Sequence, residues 1–214
     1  FDTLRNVQAL AKDAINSSIR RILQDGQEWP FIKTTTTQTL TAGVTTYSFP
    51  ADYSSSDWDT FYIKQLSSKL NTPAVLKPMP YEEYTQSHRA SDDVAPATGL
   101  SVPTQVFQTY GTTFGVTPVP DAAYEVEYVY WSTPASLAVY NDISVIPDRF
   151  SHVVIDGAMM YMMQFRSNAQ SAQMHQAAFE SGIKAMRNVL MDDTFQMRST
   201  YVARSGQRTS SGIV

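Results

Sequence analysis

The sequence predicts an α+β protein: a discontinuous helical bundle, made of an N-terminal helix and two C-terminal helices, with an antiparallel β sandwich or barrel inserted between them and an extended C-terminal arm. Three observations carry that prediction. Near both ends of the chain, apolar residues recur at threes and fours, the spacing of one stripe on an α-helix. Between Lys33 and Val145 the period falls to two, and prolines and glycines break the chain into short stretches, as in strands joined by turns. From Asp192 to Val214 serine, threonine, glycine and arginine prevail, with no acid after Asp193, a composition that suits an arm rather than a core. The expected divisions are residues 1–32 with 146–191 for the bundle, 33–145 for the β module and 192–214 for the arm.

The first helix is predicted over Leu4 to Leu23, where Leu4, Val7, Leu10, Ala11, Ala14, Ile15, Ile19, Ile22 and Leu23 make the apolar stripe. Arg5, Lys12, Asp13, Asn16 and Arg20 take the remaining face. Asp2 or Thr3 suits the N-cap, Gly26 supplies a left-handed C-terminal residue and Pro30 forbids continuation, so the helix ends before Trp29.

In the β module the clearest strand is Tyr124 to Trp131. Tyr124, Val126, Tyr128 and Tyr130 face one way, and Glu125, Glu127, Val129 and Trp131 the other. Thr45, Tyr47 and Phe49 alternate likewise, as do Phe61 with Ile63, Phe107 with its neighbours, and Phe114 with Val116. Pro118, Pro120 and Asp121 make the last connection irregular, and one short helix is expected after Pro80, through Tyr84.

Helical spacing returns at Pro147, whose missing N–H is harmless in a first turn. A stripe of Phe150, Val153, Val154, Gly157, Ala158, Tyr161, Met162 and Phe165 runs to about Arg166. Met159, Met160 and Met163 lie on the opposite side, so this helix is apolar on two faces and the methionines are candidates for a subunit interface. After Ser167 and Asn168 a third helix carries Ala172, Phe179, Ile183, Met186, Val189 and Leu190. A short link between such helices favours antiparallel packing.

Composition excludes several function classes. The 214 residues contain no cysteine, which removes disulfides, thiolate metal sites and a cysteine nucleophile. A net charge of −4 argues against coating nucleic acid. No run of about eighteen apolar residues occurs and the first residues lack the pattern of a signal peptide, so a protein made in a cytoplasm, away from membranes, is expected.

The search for catalytic chemistry finds no nucleophile elbow, phosphate loop, dinucleotide fingerprint or paired-histidine zinc motif. Three histidines, none in an i, i+4 ligand pair, argue against a zinc site, and no cofactor or metal is expected. His152 and Asp156, beside Arg149, share a helical face as a hydrolase pair would, but a surface i, i+4 pair explains the spacing. His175 falls near an apolar stripe and reads as a partly buried, hydrogen-bonded histidine. Glu82 and Glu83 diverge by about 100° on a helix and cannot flank one bond. Asp92 and Asp93 lack the oxygen ligands of a calcium loop and read as a solvated loop over Ser91 to Pro96, and the sequon at Asn16 to Ser18 lies within a helix. The aromatic strand at 124–131 suggests a carbohydrate- or receptor-binding module as an alternative, since tyrosine and tryptophan faces stack on sugars.

The order of features resembles one family. A helix ending in Trp29, Pro30, Phe31 is followed by Gly43, Tyr47, Phe49, Pro50, Ala51, Asp52 and Tyr53; later come Pro103, Phe107, then Thr117, Pro118, Val119, Pro120 before the aromatic strand, and Ile146, Pro147 opening a helix. This order resembles the head-to-tail adaptors of short-tailed bacteriophages, of the tail tubular protein A type. The resemblance implies a non-enzymatic virion protein at the neck, assembled in the host cytoplasm as a ring of twelve copies. It implies a portal protein above, a downstream tail or nozzle protein below, and genomic DNA passing through the lumen without sequence-specific binding. The portal contacts would lie on the arm, at Phe195, Arg198, Tyr201, Arg204 and Arg208.

Overall fold

The chain divides into two units, Phe1–Pro30 with Leu137–Val214, and Phe31–Ser136. The structure, a computed structural model, describes residues 2–26, 28–65, 74–109, 111–139 and 141–199, with the backbone alone at 2–7, 25–26, 65, 95–98 and 191–199. The helices are α1 (Asp2–Gly26), α2 (Tyr81–Ser87), α3 (Arg89–Thr98), α4 (Ser151–Phe165) and α5 (Ala169–Ser199). The strands are β1 (Lys33–Leu40), β2 (Thr46–Ser48), β3 (Tyr53–Ser56), β4 (Tyr62–Gln65), β5 (Ala74–Val75), β6 (Lys77–Met79), β7 (Gln105–Gln108), β8 (Thr113–Thr117) and β9 (Tyr124–Ser132). The fold class is α+β.

In the helical unit α1 and α5 both pack on α4. The stripe of α1 is buried at Ala14, Ile19 and Ile22, and Trp29, wholly buried, closes its end by donating Nε1–H to the Ile22 carbonyl at 2.9 Å. Glycines set how closely the helices approach. A β-carbon at Gly157 would lie 2.2 Å from Ser18 Oγ and 2.7 Å from Phe179, and one at Gly182 would lie 2.7 Å from Val153. The partners of α4 and α5 therefore run in opposite directions, Gly157 against Phe179 and Val153 against Gly182, which makes the pair an antiparallel hairpin. Its turn is Arg166 to Asn168, with Ser167 at φ 56 and Asn168 Oδ1 accepting from the Ser171 N–H.

Three side chains depart from the face expected of them. Asn16, assigned to the polar face of α1, is buried: its amide donates to the Leu137 carbonyl at 3.0 Å and its Oδ1 accepts from the Leu137 N–H at 2.9 Å. One amide can satisfy both groups of a backbone that has no ladder to join. Phe165 and Val189, assigned to apolar stripes, are exposed, because α4 ends and no partner covers those positions among the described residues. The segment 137–145, expected with the β module, belongs to the helical unit, and α5 stays helical through Ser199 where an extended arm was expected from residue 192.

The β unit is two sheets with one shared core. In the first, β9 is central: β1 pairs along one edge, while β4 and β3 share the other end to end, and β5 extends the sheet from β4. Tyr124, Val126, Tyr128 and Tyr130 point inward as their alternation requires. Trp131, on the opposite face, is buried as well, with Lys33 Nζ 5.2 Å over its ring. The second sheet runs β2-β8-β7-β6. Leu40 and Ile63 from the first sheet, with Phe61 just before β4, meet Tyr47, Val106, Phe114 and Val116 from the second. Phe61 lies at the centre, stacked on Tyr128 at 4.6 Å and on Trp58 at 5.2 Å.

The second sheet is not purely antiparallel. β6 and β7 are parallel, and a parallel pair needs a crossover, which α2 and α3 supply. The stretch expected as a solvated loop over Ser91 to Pro96 is thus part of α3, started by Ser91 and Asp92 N–H groups donating to the His88 carbonyl. β1 carries five threonines and a single buried side chain, Leu40, so no apolar alternation announces it. It becomes a strand because β9 offers it an unpaired edge.

Candidate partner-binding surfaces

The residues considered for chemistry do not converge. His152 is exposed, whereas Asp156 turns to α5, its Oδ1 3.2 Å from His175 Nδ1. Asp156 therefore orients no base on its own helix; it ties α4 to α5, and His175 is the hydrogen-bonded histidine expected. Glu82 and Glu83 are exposed on the first turn of α2. Asp92 is buried, and Asp93 lies 3.9 Å from Arg89 on the same helix. Among the described residues no cluster of three or more His, Asp or Glu side chains is placed to hold a metal ion.

The tyrosines of β9 offer no stacking face. Tyr124, Tyr128 and Tyr130 are at most 5% exposed, and burial raises their hydroxyl pKa values above the ordinary 10.0, that of Tyr124 to about 12 with Asp121 adding to the effect. Their hydroxyls bond inside the unit, Tyr130 to Asp52 at 3.1 Å and Tyr124 to Asp121 at 2.5 Å. Aromatic residues open to a surface lie elsewhere. Trp58 and Tyr81, with Pro78, Pro80 and Glu82, line a cleft of about 710 Å³.

The helical unit presents an apolar groove of about 390 Å³ between α1 and α4, lined by Ile15, Ile19, Ile146, Val154, Met159 and Met162 among others. Leu137, Ser144 and Ile146 form part of its wall, with Leu137 held by Asn16 and the residues that follow it tied to Asp142. The backbone N–H groups of Val139 and Ala138 donate to Asp142, and this keeps its carboxyl below the usual range. Ile155 on α4 is 60% exposed and Ile143 on the segment 88%, so apolar surface remains open on this unit. Of the three methionines singled out, Met159 and Met163 are half-buried, while Met160 is buried within the unit. Of the arm residues, Phe195 and Arg198 fall on the backbone of α5, their side chains outside the description, and Tyr201, Arg204 and Arg208 lie outside the described residues.

Among the described residues, then, the candidate side chains converge on no shared centre, and one aromatic and one apolar surface stand open. The family model of the SU10 adaptor protein matches residues 2–205. The chain belongs to the SU10 adaptor protein family. That agrees with the resemblance to phage head-to-tail adaptors drawn from the order of its motifs. No curated protein matches the chain. In this SU10 adaptor family member, among the described residues no helix is long and apolar enough to cross a membrane.

Sequence reading of this adaptor missed a second groove of about 400 Å³, whose lining includes Arg21 of α1 and Lys184 and Arg187 of α5. Lys184 and Arg187 are three apart and so share a helix face, but their juxtaposition with Arg21 depends on how α1 and α5 sit around α4.

Proposed function

We propose that the protein is a structural adaptor of a bacteriophage particle that works without catalysis, assembling as a ring of twelve copies between the portal protein and the next tail component, with the genome passing through its lumen. Membership of the adaptor family over residues 2–205 is the observation that carries this reading. Two further features favour it. The helical unit keeps an apolar groove and exposed Ile155 for contact with a neighbour, Met159 and Met163 lying on the same helix. Methionine suits such an interface because its unbranched side chain adapts to an imperfect partner. The basic stretch after Asp193, with Phe195, Arg198, Tyr201, Arg204 and Arg208, has the aromatic and arginine anchors that dominate interfaces and is assigned here to the portal. In this reading the protein is assembled in the host cytoplasm and resides at the neck of the virion.

The test is co-sedimentation with portal particles. The full chain should bind them and form rings by electron microscopy. A chain lacking residues 194–214 should fold, by circular dichroism, yet no longer co-sediment. Unchanged co-sedimentation would refute the assignment of the arm.

A further inference from the structure

The groove around Arg21, Lys184 and Arg187 has a marked charge. Arg21 and Lys184 are exposed, the wall includes Tyr161 and Gln164, and Glu180, the acid in the lining, accepts from Gln176 at 2.9 Å. The lining thus carries three cationic side chains and one carboxylate, with Arg21 and Lys184 the two that are exposed. The β unit has the opposite balance, with ten of the chain's twenty acids and only five of its sixteen basic side chains.

Most acids of the β unit are engaged on that unit. Asp57 meets Lys33 at 3.4 Å, Glu125 meets Lys64 at 2.8 Å, Glu127 accepts from Tyr62, and Asp52 and Asp121 accept from Tyr130 and Tyr124. Glu82 and Glu83 are different. They are adjacent and exposed on the first turn of α2, with Glu82 and Tyr81 both on the lip of the aromatic cleft.

We propose that the basic groove of one copy receives α2 of a second copy, with Glu82 and Glu83 against Arg21 and Lys184. The proposal rests on the ring reading above and specifies one of its contacts. Donor and acceptor surfaces are different patches, so each copy offers one of each and the contact can repeat head to tail, which is the repetition the ring reading requires. Opposed charges on such surfaces select the partner and speed its approach, and added salt weakens both effects.

A charge swap tests this. R21E/K184E makes the groove acidic, and E82K/E83K makes α2 basic; all four positions are exposed, so folding by circular dichroism should be kept. Assembly of the full chain is followed by sedimentation and electron microscopy, alone and with portal particles. Each variant alone should need about a hundredfold more protein to assemble, since like charges then face each other. An equal mixture of the two should assemble like the unmodified chain, because in alternation every contact is again opposite in charge. The milder E82Q/E83Q should give a loss of about tenfold that diminishes as salt rises. If either reversed variant assembles alone as the unmodified chain does, or if the mixture does not recover, the contact is wrong while the ring reading stands. If the unmodified chain forms no ring under either condition, the ring reading itself falls.

Discussion

Ser18 and Gly157 meet where α1 crosses α4: a β-carbon at 157 would stand 2.2 Å from Ser18 Oγ, and that hydroxyl donates to the Val154 carbonyl at 3.0 Å. The same glycine leaves room for Phe179 of α5. Side chains or backbone of three helices thus come together at one glycine.

Gly157→Ala should therefore destabilise the chain by about 2 kcal/mol, since overpacking a filled interior costs roughly 1–3 kcal/mol. Ser18→Ala alone removes one hydrogen bond and should cost about 1 kcal/mol. Combined, the two should recover part of the loss, because the hydroxyl that clashes is gone while Phe179 still crowds the new methyl. Urea denaturation of the single and double variants measures this, and additive losses would contradict the shared contact.

Asn16→Ala should release the Leu137 to Ile146 segment. Both polar groups of Leu137 would lose their partner, at a cost of about 2–3 kcal/mol. Asn16→Asp keeps the acceptor for the Leu137 N–H and places a charge beside the Leu137 carbonyl, so it should also destabilise. Faster hydrogen exchange at Leu137 and Val139 in Asn16→Ala checks that the loss is located there.

Phe61→Ala should cost about 3–5 kcal/mol, the range for removing a buried aromatic ring. The ring stacks on Tyr128 and Trp58, so near-ultraviolet circular dichroism should weaken with the melting temperature. A loss below about 1 kcal/mol would mean that the two sheets are not held through this residue.

Alkaline pH should unfold the β unit. The Tyr124 hydroxyl has its pKa raised from 10.0 to about 12, by burial first and then by Asp121, and those of Tyr128 and Tyr130 are raised as well. A raised folded-state value means the unfolded chain ionises first, so the stability these groups contribute is complete below pH 10 and is lost as pH climbs through the folded-state values. Absorbance at 295 nm should show a late, cooperative rise that coincides with unfolding. Tyr124→Phe should lessen the slope of stability against pH above 10 and leave it unchanged at neutral pH apart from the lost Asp121 bond.

What the sequence determined by itself is what a local period can express. The stripe of α1, the inward tyrosines of β9 and the Phe179, Ile183 and Met186 face of α5 are each written within one element, and the burial of each follows the 3.6- or 2-residue repeat. The near absence of catalytic motifs and the order of aromatic and proline landmarks were legible for the same reason, since motifs are linear. Only the tertiary structure decided which side chains at the margins of those stripes find partners. Asn16 is buried because Leu137 arrives beside it from 121 residues away, and Asp156 faces His175 instead of His152 because the α4–α5 turn brings α5 across it. β1 and the parallel β6–β7 pair likewise owe their state to edges offered by distant strands. The basic groove around Arg21, Lys184 and Arg187 is the same kind of feature. Its cations come from two helices at opposite ends of the chain, and their approach is set by packing against α4, a non-local contact that no local repeat encodes.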